Sequence, residues 1–286
     1  MEYLRDLVQE RLHLRSTSGN TTCAATAADD DSSDGKRKRI LLDVGGGTGN
    51  FTRAVIENAT IPVHGIVIDP FLIDDDVALN PDPPGSDQNN PANVSFVKQS
   101  AQIFADSSDI SPQDLWWRTG YHQVLIKEVV HHIPDRVPIF RGIRQGLDDP
   151  TSMPCSNSNS TSEIIPSLLI ITRPQHDIDY PLWDAARAVW AQHEPSLDEL
   201  VSELQEAGFS NIQHTLEAYP CAIPLHRWLS MVRARFWSTF SYFTDEQLEE
   251  GCASITGNYQ HQLNHEGNDD GIIQFEDRLI FITACK

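Results

Sequence analysis

Residues Leu41 to Phe51 read LLDVGGGTGNF. An apolar run carries an acid, Asp43, and passes into Gly45, Gly46, Gly47 and Gly49 before helical character begins at Asn50. Glycine lets the chain turn with positive φ and lets a ligand lie directly on the main chain. A helix start offers unpaired N–H groups to a negative or polar ligand group. Two nucleotide-binding loops are excluded here. The phosphate loop of NTPases needs a Lys after its last glycine, and none follows. The dinucleotide fingerprint needs a third glycine where Asn50 or Thr52 stands. The pattern that remains is acid-x-G-x-G-x-G, met by Asp43, Gly45, Gly47 and Gly49.

Outward from this loop, strands and helices alternate. Ile40–Val44, Val63–Ile68, Val94–Val97, Val124–Ile126 and Leu168–Thr172 are short apolar runs. Helical character falls on Asn50–Asn58, Pro138–Leu147 and Leu197–Ala207, the last with apolar residues at Leu197, Leu200, Val201 and Leu204 and a stop at Gly208. Ile212–Tyr219 and Asp277–Ala284 read as late strands. Thr244 and Gln247 have the spacing of a capping box at a helix start. Such alternation predicts an α/β fold with a mostly parallel sheet covered on both faces.

Three polar stretches read as loops inserted into that fold: Ser16–Arg39, predicted to be disordered, Asp74–Asn93 and Asp148–Ser162. The run KRKR at Lys36–Arg39 has the composition of a nuclear-localisation or anion-binding patch and reads more plainly as the solvated end of a linker before a strand. The chain has 286 residues, 40% of them apolar and 22% charged, which fits an ordinary globular protein. Its formal charge is −20, from 21 basic and 41 acidic side chains. Phosphate backbones and anionic membranes would repel it, so neither nucleic acid nor membrane is expected as a partner. No apolar run reaches the ~20 residues that span a bilayer. Met1–Arg15 mixes charge with Leu and Val at helical spacing and reads as a helix, not a signal or transit peptide. The 5 cysteines are scattered and predict reduced thiols and a cytoplasmic setting.

The Asp43–Gly49 string after an apolar strand resembles the first motif of class I S-adenosylmethionine-dependent methyltransferases. That resemblance implies a Rossmann-like sheet of seven strands with the last one antiparallel. It also implies a cofactor, S-adenosylmethionine. Later segments agree. HGIVIDP places Asp69 and Pro70 at the tip of the second strand, where a carboxylate can accept hydrogen bonds from both ribose hydroxyls. The segment KEVVHHIPD resembles the family's stretch after the fourth strand through Lys127, Glu128, His131, His132 and Asp135. The family's acid near the adenine is replaced by KQSAQ, which leaves Ser100 and Ala101 there. Its Asp at the start of the fourth strand is His122, and its Pro-Gly-Gly loop before the fifth strand is absent. Helices usually precede the first strand and close over the cofactor; here Met1–Leu14 stands for them, an incomplete lid. One methyltransferase domain over residues 1–286 follows: a helix at 1–15, the insertion at 16–39, a cofactor-binding core at 40–172, and substrate-side helices with late strands at 173–286.

Methyl transfer is an in-line displacement, so the protein supplies proximity and orientation. A general base helps when the acceptor is a hydroxyl or a protonated amine. His131 and His132, just past the fourth strand, are the candidates for that base. Adjacent helical residues point about 100° apart, so this pair makes a poor metal site, and no metal is expected. Acceptor contacts are placed in Arg173–Trp190 and Ile223–Phe243, with Trp183, Arg235 and Trp237 as candidates for a small-molecule acceptor; helix packing is the alternative for these aromatics, and a salt-bridged surface for the arginines. A module that keeps the fold without the reaction is the second hypothesis. A nicotinamide dehydrogenase is the third, disfavoured by the missing glycine. Protein partners are not legible.

Overall fold

Each of the five apolar runs becomes a strand of one sheet in the computed structural model: β1 (Arg39–Val44), β2 (Val63–Ile68), β3 (Val94–Val97), β4 (Gln123–Lys127) and β5 (Ser167–Thr172). Residues 2–12, 14, 39–57, 59–72, 93–105, 115–148, 166–263 and 271–286 are described by the structure. The three predicted insertions fall almost wholly outside these residues. β6 (Ser210–Pro224) and β7 (Ile272–Cys285) complete a sheet of order β3-β2-β1-β4-β5-β7-β6. β1 to β5 pair in parallel, and β7 pairs antiparallel with both β5 and β6, so the last strand alone runs against the rest.

Alternation of side chains across the strands divides the core in two. Leu42, Val44, Ile66, Val124, Ile126 and Ile170 face one side. There, after the short α3 (Leu115–Arg118), α4 (Arg136–Gly146) and α6 (Leu197–Glu206) cover them with Ile139, Phe140, Ile143, Leu200 and Leu204. Leu41, Val67, Leu125, Leu169 and Phe281 face the other side, under α1 (Glu2–Arg11) and α2 (Asn50–Glu57). Gln9 of α1 fixes the helix there by donating its Nε2 to the Val55 carbonyl at 2.6 Å. The connections of β1 and β4 therefore leave for opposite faces. Their carboxyl ends border the crevice where ligands bind in open α/β sheets.

A third core lies beyond the sheet. α5 (Asp184–His193), α7 (Leu225–Arg233) and α8 (Asp245–Leu263) gather Trp190, Trp228, Val232, Phe240, Leu248 and Ile255 around Ile273 and Phe275 of β7. The capping box forms as read: Thr244 N donates to Gln247 Oε1 at 2.9 Å, and Gln247 N donates to Thr244 Oγ1 at 3.3 Å. β6 and β7 run well past their predicted limits, because Pro220 and Pro224 do not stop β6. It is an edge strand paired only with β7, and an edge tolerates a residue with no N–H to give. Among the described residues, no helix is long and apolar enough to cross a membrane.

Candidate active site

The glycine loop closes the carboxyl end of β1. Gly45, Gly47 and Gly49 all have positive φ, at 78°, 54° and 70°. Their surroundings differ. A Cβ on Gly45 would lie 2.5 Å from Val129, one on Gly46 2.5 Å from Asp43, and one on Gly49 2.9 Å from Phe96. Around Gly47 nothing lies within 4 Å, so this residue presents bare main chain to open space. Asp69 reaches the same point from the tip of β2. Its Oδ2 accepts from Gly47 N at 3.0 Å and its Oδ1 from Phe71 N at 2.8 Å. Each oxygen keeps a second lone pair, so the carboxylate clamps the loop and can still accept from a ligand. Pro70 beside it is exposed, and the Phe71 side chain is 89% exposed.

Asp43 is buried beneath the loop. Thr52 Oγ1 donates to its Oδ2, while Oδ1 has no hydrogen-bond partner. Burial pushes its carboxyl up to about 6, against the Thr52 hydroxyl and the Lys127 charge. A raised pKa means that folding pays for the ionised form: stability falls from about pH 4 to about pH 6 and stays reduced above. Asp43→Asn removes that charge, and its amide meets the same orphan position. The net expectation is a gain of about 1–2 kcal/mol above pH 6 and none below pH 4. Urea denaturation at pH 4 and pH 8 measures it.

Ser100 precedes a turn of 3-10 helix, Ala101–Phe104, and caps it by accepting from Gln102 N at 3.3 Å. Its hydroxyl also contacts Gln102 Oε1. Ala101 packs partly into the first core.

At the tip of β4, Lys127 lies with its ammonium 5.2 Å over the Phe51 ring and donates to Glu128 Oε1 at 2.9 Å. Glu128 holds a left-handed backbone, φ 55°, uncommon for a side-chain-bearing residue. Its other oxygen pairs with Arg173 at 2.7 Å, from the end of β5. Burial works to raise the Glu128 pKa, but Arg173 and then Lys127 outweigh it and hold the group below its ordinary value. Arg173 also donates to Tyr180 Oη at 2.6 Å and lies 3.5 Å from Asp277. Tyr180 in turn donates to Asp277 Oδ1.

His131 and His132 follow in a single 3-10 turn, Val130–His132, with ring centroids 4.0 Å apart. His132 is exposed; His131 Nδ1 lies 3.2 Å from Glu194 Oε1, from the end of α5. Among the described residues no group of His, Cys, Asp and Glu could hold a metal ion.

The acceptor-side candidates separate. Trp237 is half-buried and stacks against Arg173, whose guanidinium lies 5.4 Å from the ring centroid. Trp183 is buried in the third core against Phe240, Phe243 and the Gly251 backbone. Arg235 bonds Asp245 at 2.8 Å and the Phe243 carbonyl at 3.0 Å, and so fixes its own loop. Trp183 thus sits as helix packing would place it, and Arg235 as a salt-bridged surface would, the alternative for the arginines. Sequence reading held Arg173 and Tyr180 only as members of the acceptor-side stretch, without a role of their own, and gave Asp277 and Glu194 no place in the site. Arg173 had the same signal as Lys127, a charge ending an apolar strand; the others had none.

A model of the methyltransferase domain matches residues 13–214. No curated protein matches. Among solved structures, a protein of Anabaena variabilis, described as a methyltransferase from an antibiotic biosynthesis pathway, is 14% identical with a TM-score of 0.56, over 100% of this chain and 97% of its own. The [4+2]-cyclase SpnF is 16% identical with a TM-score of 0.50, over 100% of this chain and 81% of its own. Phosphoethanolamine N-methyltransferase 2 of Haemonchus contortus, solved with S-adenosylhomocysteine and phosphomonomethylethanolamine, is 15% identical with a TM-score of 0.45. That match covers 87% of this chain, which spans about half (49%) of the Haemonchus protein. At these identities the likeness is one of fold.

Proposed function

The chain belongs to the methyltransferase-domain family, and from that premise we propose that it moves a methyl group from S-adenosylmethionine to a small-molecule acceptor. The observation that carries this reading is the meeting of Gly47 and Asp69. The open main chain of the loop and a carboxylate with spare lone pairs border one cleft. The orphaned Oδ1 of Asp43 beneath it fits a ligand that brings a donor. The main chain of Gly45–Gly49 would hold the cofactor's amino-acid tail and Asp69 its ribose. Ser100 and Ala101 would border its adenine, with Lys127 and Glu128 across the cleft. When bound, the cofactor supplies a methyl group on an electrophilic sulfonium. The chain's own task is to orient the acceptor for in-line attack and to take its proton, with His131 and His132 as the candidates. The net charge of −20 supports a role without nucleic acid or membrane, and the free thiols Cys221, Cys252 and Cys285 support a cytoplasmic setting.

Asp69→Asn keeps the shape of the clamp and removes its charge. Calorimetric titration with S-adenosylmethionine is expected to give about tenfold weaker binding than the wild type, a loss of ~1.4 kcal/mol. Absence of binding by the wild type would sink the proposal. A second reading, a binding module without transfer, draws support from the missing acid near Ser100 and from a cyclase that shares the fold. Label moving from methyl-tritiated donor into a deproteinised cell extract separates the two.

A further inference from the structure

Two polar atoms face each other beside the cleft without forming a hydrogen bond. His131 Nδ1 and Glu194 Oε1 are 3.2 Å apart, yet Nδ1 is buried with no hydrogen-bond partner. Glu194 is 8% exposed, and its carboxyl is buried beside the Thr172 hydroxyl, the one side chain that bonds it, at a geometry too poor to satisfy either Oε2 or Thr172 Oγ1 fully. A buried imidazole nitrogen left unmet against a carboxylate oxygen is costly unless a ligand or a shared proton satisfies it. The carboxyl ends of β4 and β5 bring them together: His131 comes from the turn after β4, and Glu194 ends α5, its N–H donating to Trp190 O at 2.9 Å.

We propose, resting on the methyltransferase reading above, that Glu194 is the positioning residue for His131, and that the two share one proton so that His131 Nε2 can take the proton of a hydroxyl or ammonium acceptor. In that step the acceptor's lone pair forms a bond to the methyl carbon of the sulfonium donor. The carbon–sulfur bond breaks with its electron pair going to sulfur, and the acceptor's proton passes to Nε2. The Nδ1 proton stays in the contact with Glu194. A buried proton-accepting pair serves an acceptor that carries a proton, so oxygen and nitrogen nucleophiles are the substrate class.

The charges around the pair agree with this division of roles. Burial, then His132 and Arg173, push His131 down to about 4, while Glu128 pulls it up; His193 also faces it. Burial pushes Glu194 up to about 7, with Arg173 and the Thr172 hydroxyl opposing and Glu128 adding. Below pH 7 the pair is two neutral groups. Above it Glu194 ionises and strengthens the imidazole as a base, so transfer should rise through pH 7.

The test compares wild type, Glu194→Gln and Glu194→Asp in three measurements. Ring-nitrogen NMR of 15N-histidine protein should show His131 neutral from pH 8 to pH 5, with a step in its Nδ1 shift near pH 7. Gln should abolish that step and Asp should restore it. Initial rates with methyl-labelled donor and deproteinised cell extract at pH 6 and pH 8 should fall about a hundredfold with Gln at pH 8 and lose their pH dependence. Calorimetry with S-adenosylmethionine should stay within twofold. The inference is overturned by a step missing in the wild type or kept in Gln, by unchanged rates, or by a tenfold loss of cofactor binding. A wild type that shows the step but binds no S-adenosylmethionine overturns the methyltransferase reading and, with it, the role in transfer.

Discussion

Arg173→Met will lower the free energy of unfolding by about 2–3 kcal/mol, because it strands half-buried anions that the guanidinium now satisfies. The Arg173 side chain is 14% exposed, and it meets Glu128 at 2.7 Å, Tyr180 at 2.6 Å and Asp277 at 3.5 Å. Its cation also lies over the rings of Tyr180 and Trp237, at 5.5 and 5.4 Å from their centroids. Burial alone would lower its pKa; Glu128, Tyr180 and Asp277 together raise it above the ordinary value. Met fills much of the volume and returns none of these bonds. The sign with pH follows. Glu128 is held below its ordinary pKa in the wild type, so its contribution persists above the unfolded value and fades only in acid. Without Arg173 burial acts on Glu128 with less opposition, and acid then relieves the variant. The loss will be larger at pH 8 than at pH 5 in guanidinium denaturation. Arg233→Met is the control: its partner Glu249 is exposed, and stability should not change measurably.

Gly47→Val will weaken binding of S-adenosylmethionine more than about a hundredfold, a loss above ~2.7 kcal/mol. A side chain there meets no neighbour in the free protein and occupies the space that the cofactor reading needs. Its left-handed backbone, φ 54°, adds a folding penalty of roughly 1–2 kcal/mol. Gly120 isolates that penalty. It too has positive φ, 79°, with nothing within 4 Å, but it stands before β4 at the opposite end of the sheet. Gly120→Val should cost similar stability and leave calorimetric binding intact. Equal loss of binding in both variants would show that the loop is not the cleft.

The strands were legible because residues such as Leu41, Leu42, Val124 and Ile126 are buried on both faces, and continuous apolar runs are how such strands appear in sequence. The glycine loop was legible because its turns demand residues without a Cβ. Asp69 was half legible: the sequence placed it at the strand tip, but its grip on Gly47 N appears only once β2 lies beside β1. Pro220 hid the length of β6, since the penalty for proline depends on whether a neighbour lies on that side. Trp183 read as pocket wall or, more plainly, as packing, because an aromatic's chemistry is the same in both places and only its neighbours differ. Glu194 carried no local mark. It joins His131 only when α5 returns to the end of β4, and long-range closure of that kind leaves no spacing to read.

β7 is shared between the sheet, where it joins the cores on both faces, and the distal core. Ile280 and Ile282 lie in the main sheet, while Ile273 and Phe275 of the same strand sit among the distal helices. A ladder with β6, unbroken from Pro224–Ile272 to Gln213–Thr283 and shifted in register before Ser210–Cys285, ties the two together. Such a beam leaves little room for a hinge: the distal helices cannot swing away from the sheet without unzipping backbone pairs. The route by which an acceptor enters and a product leaves is thereby assigned to the turns and side chains around the crevice, with the scaffold on both sides held still.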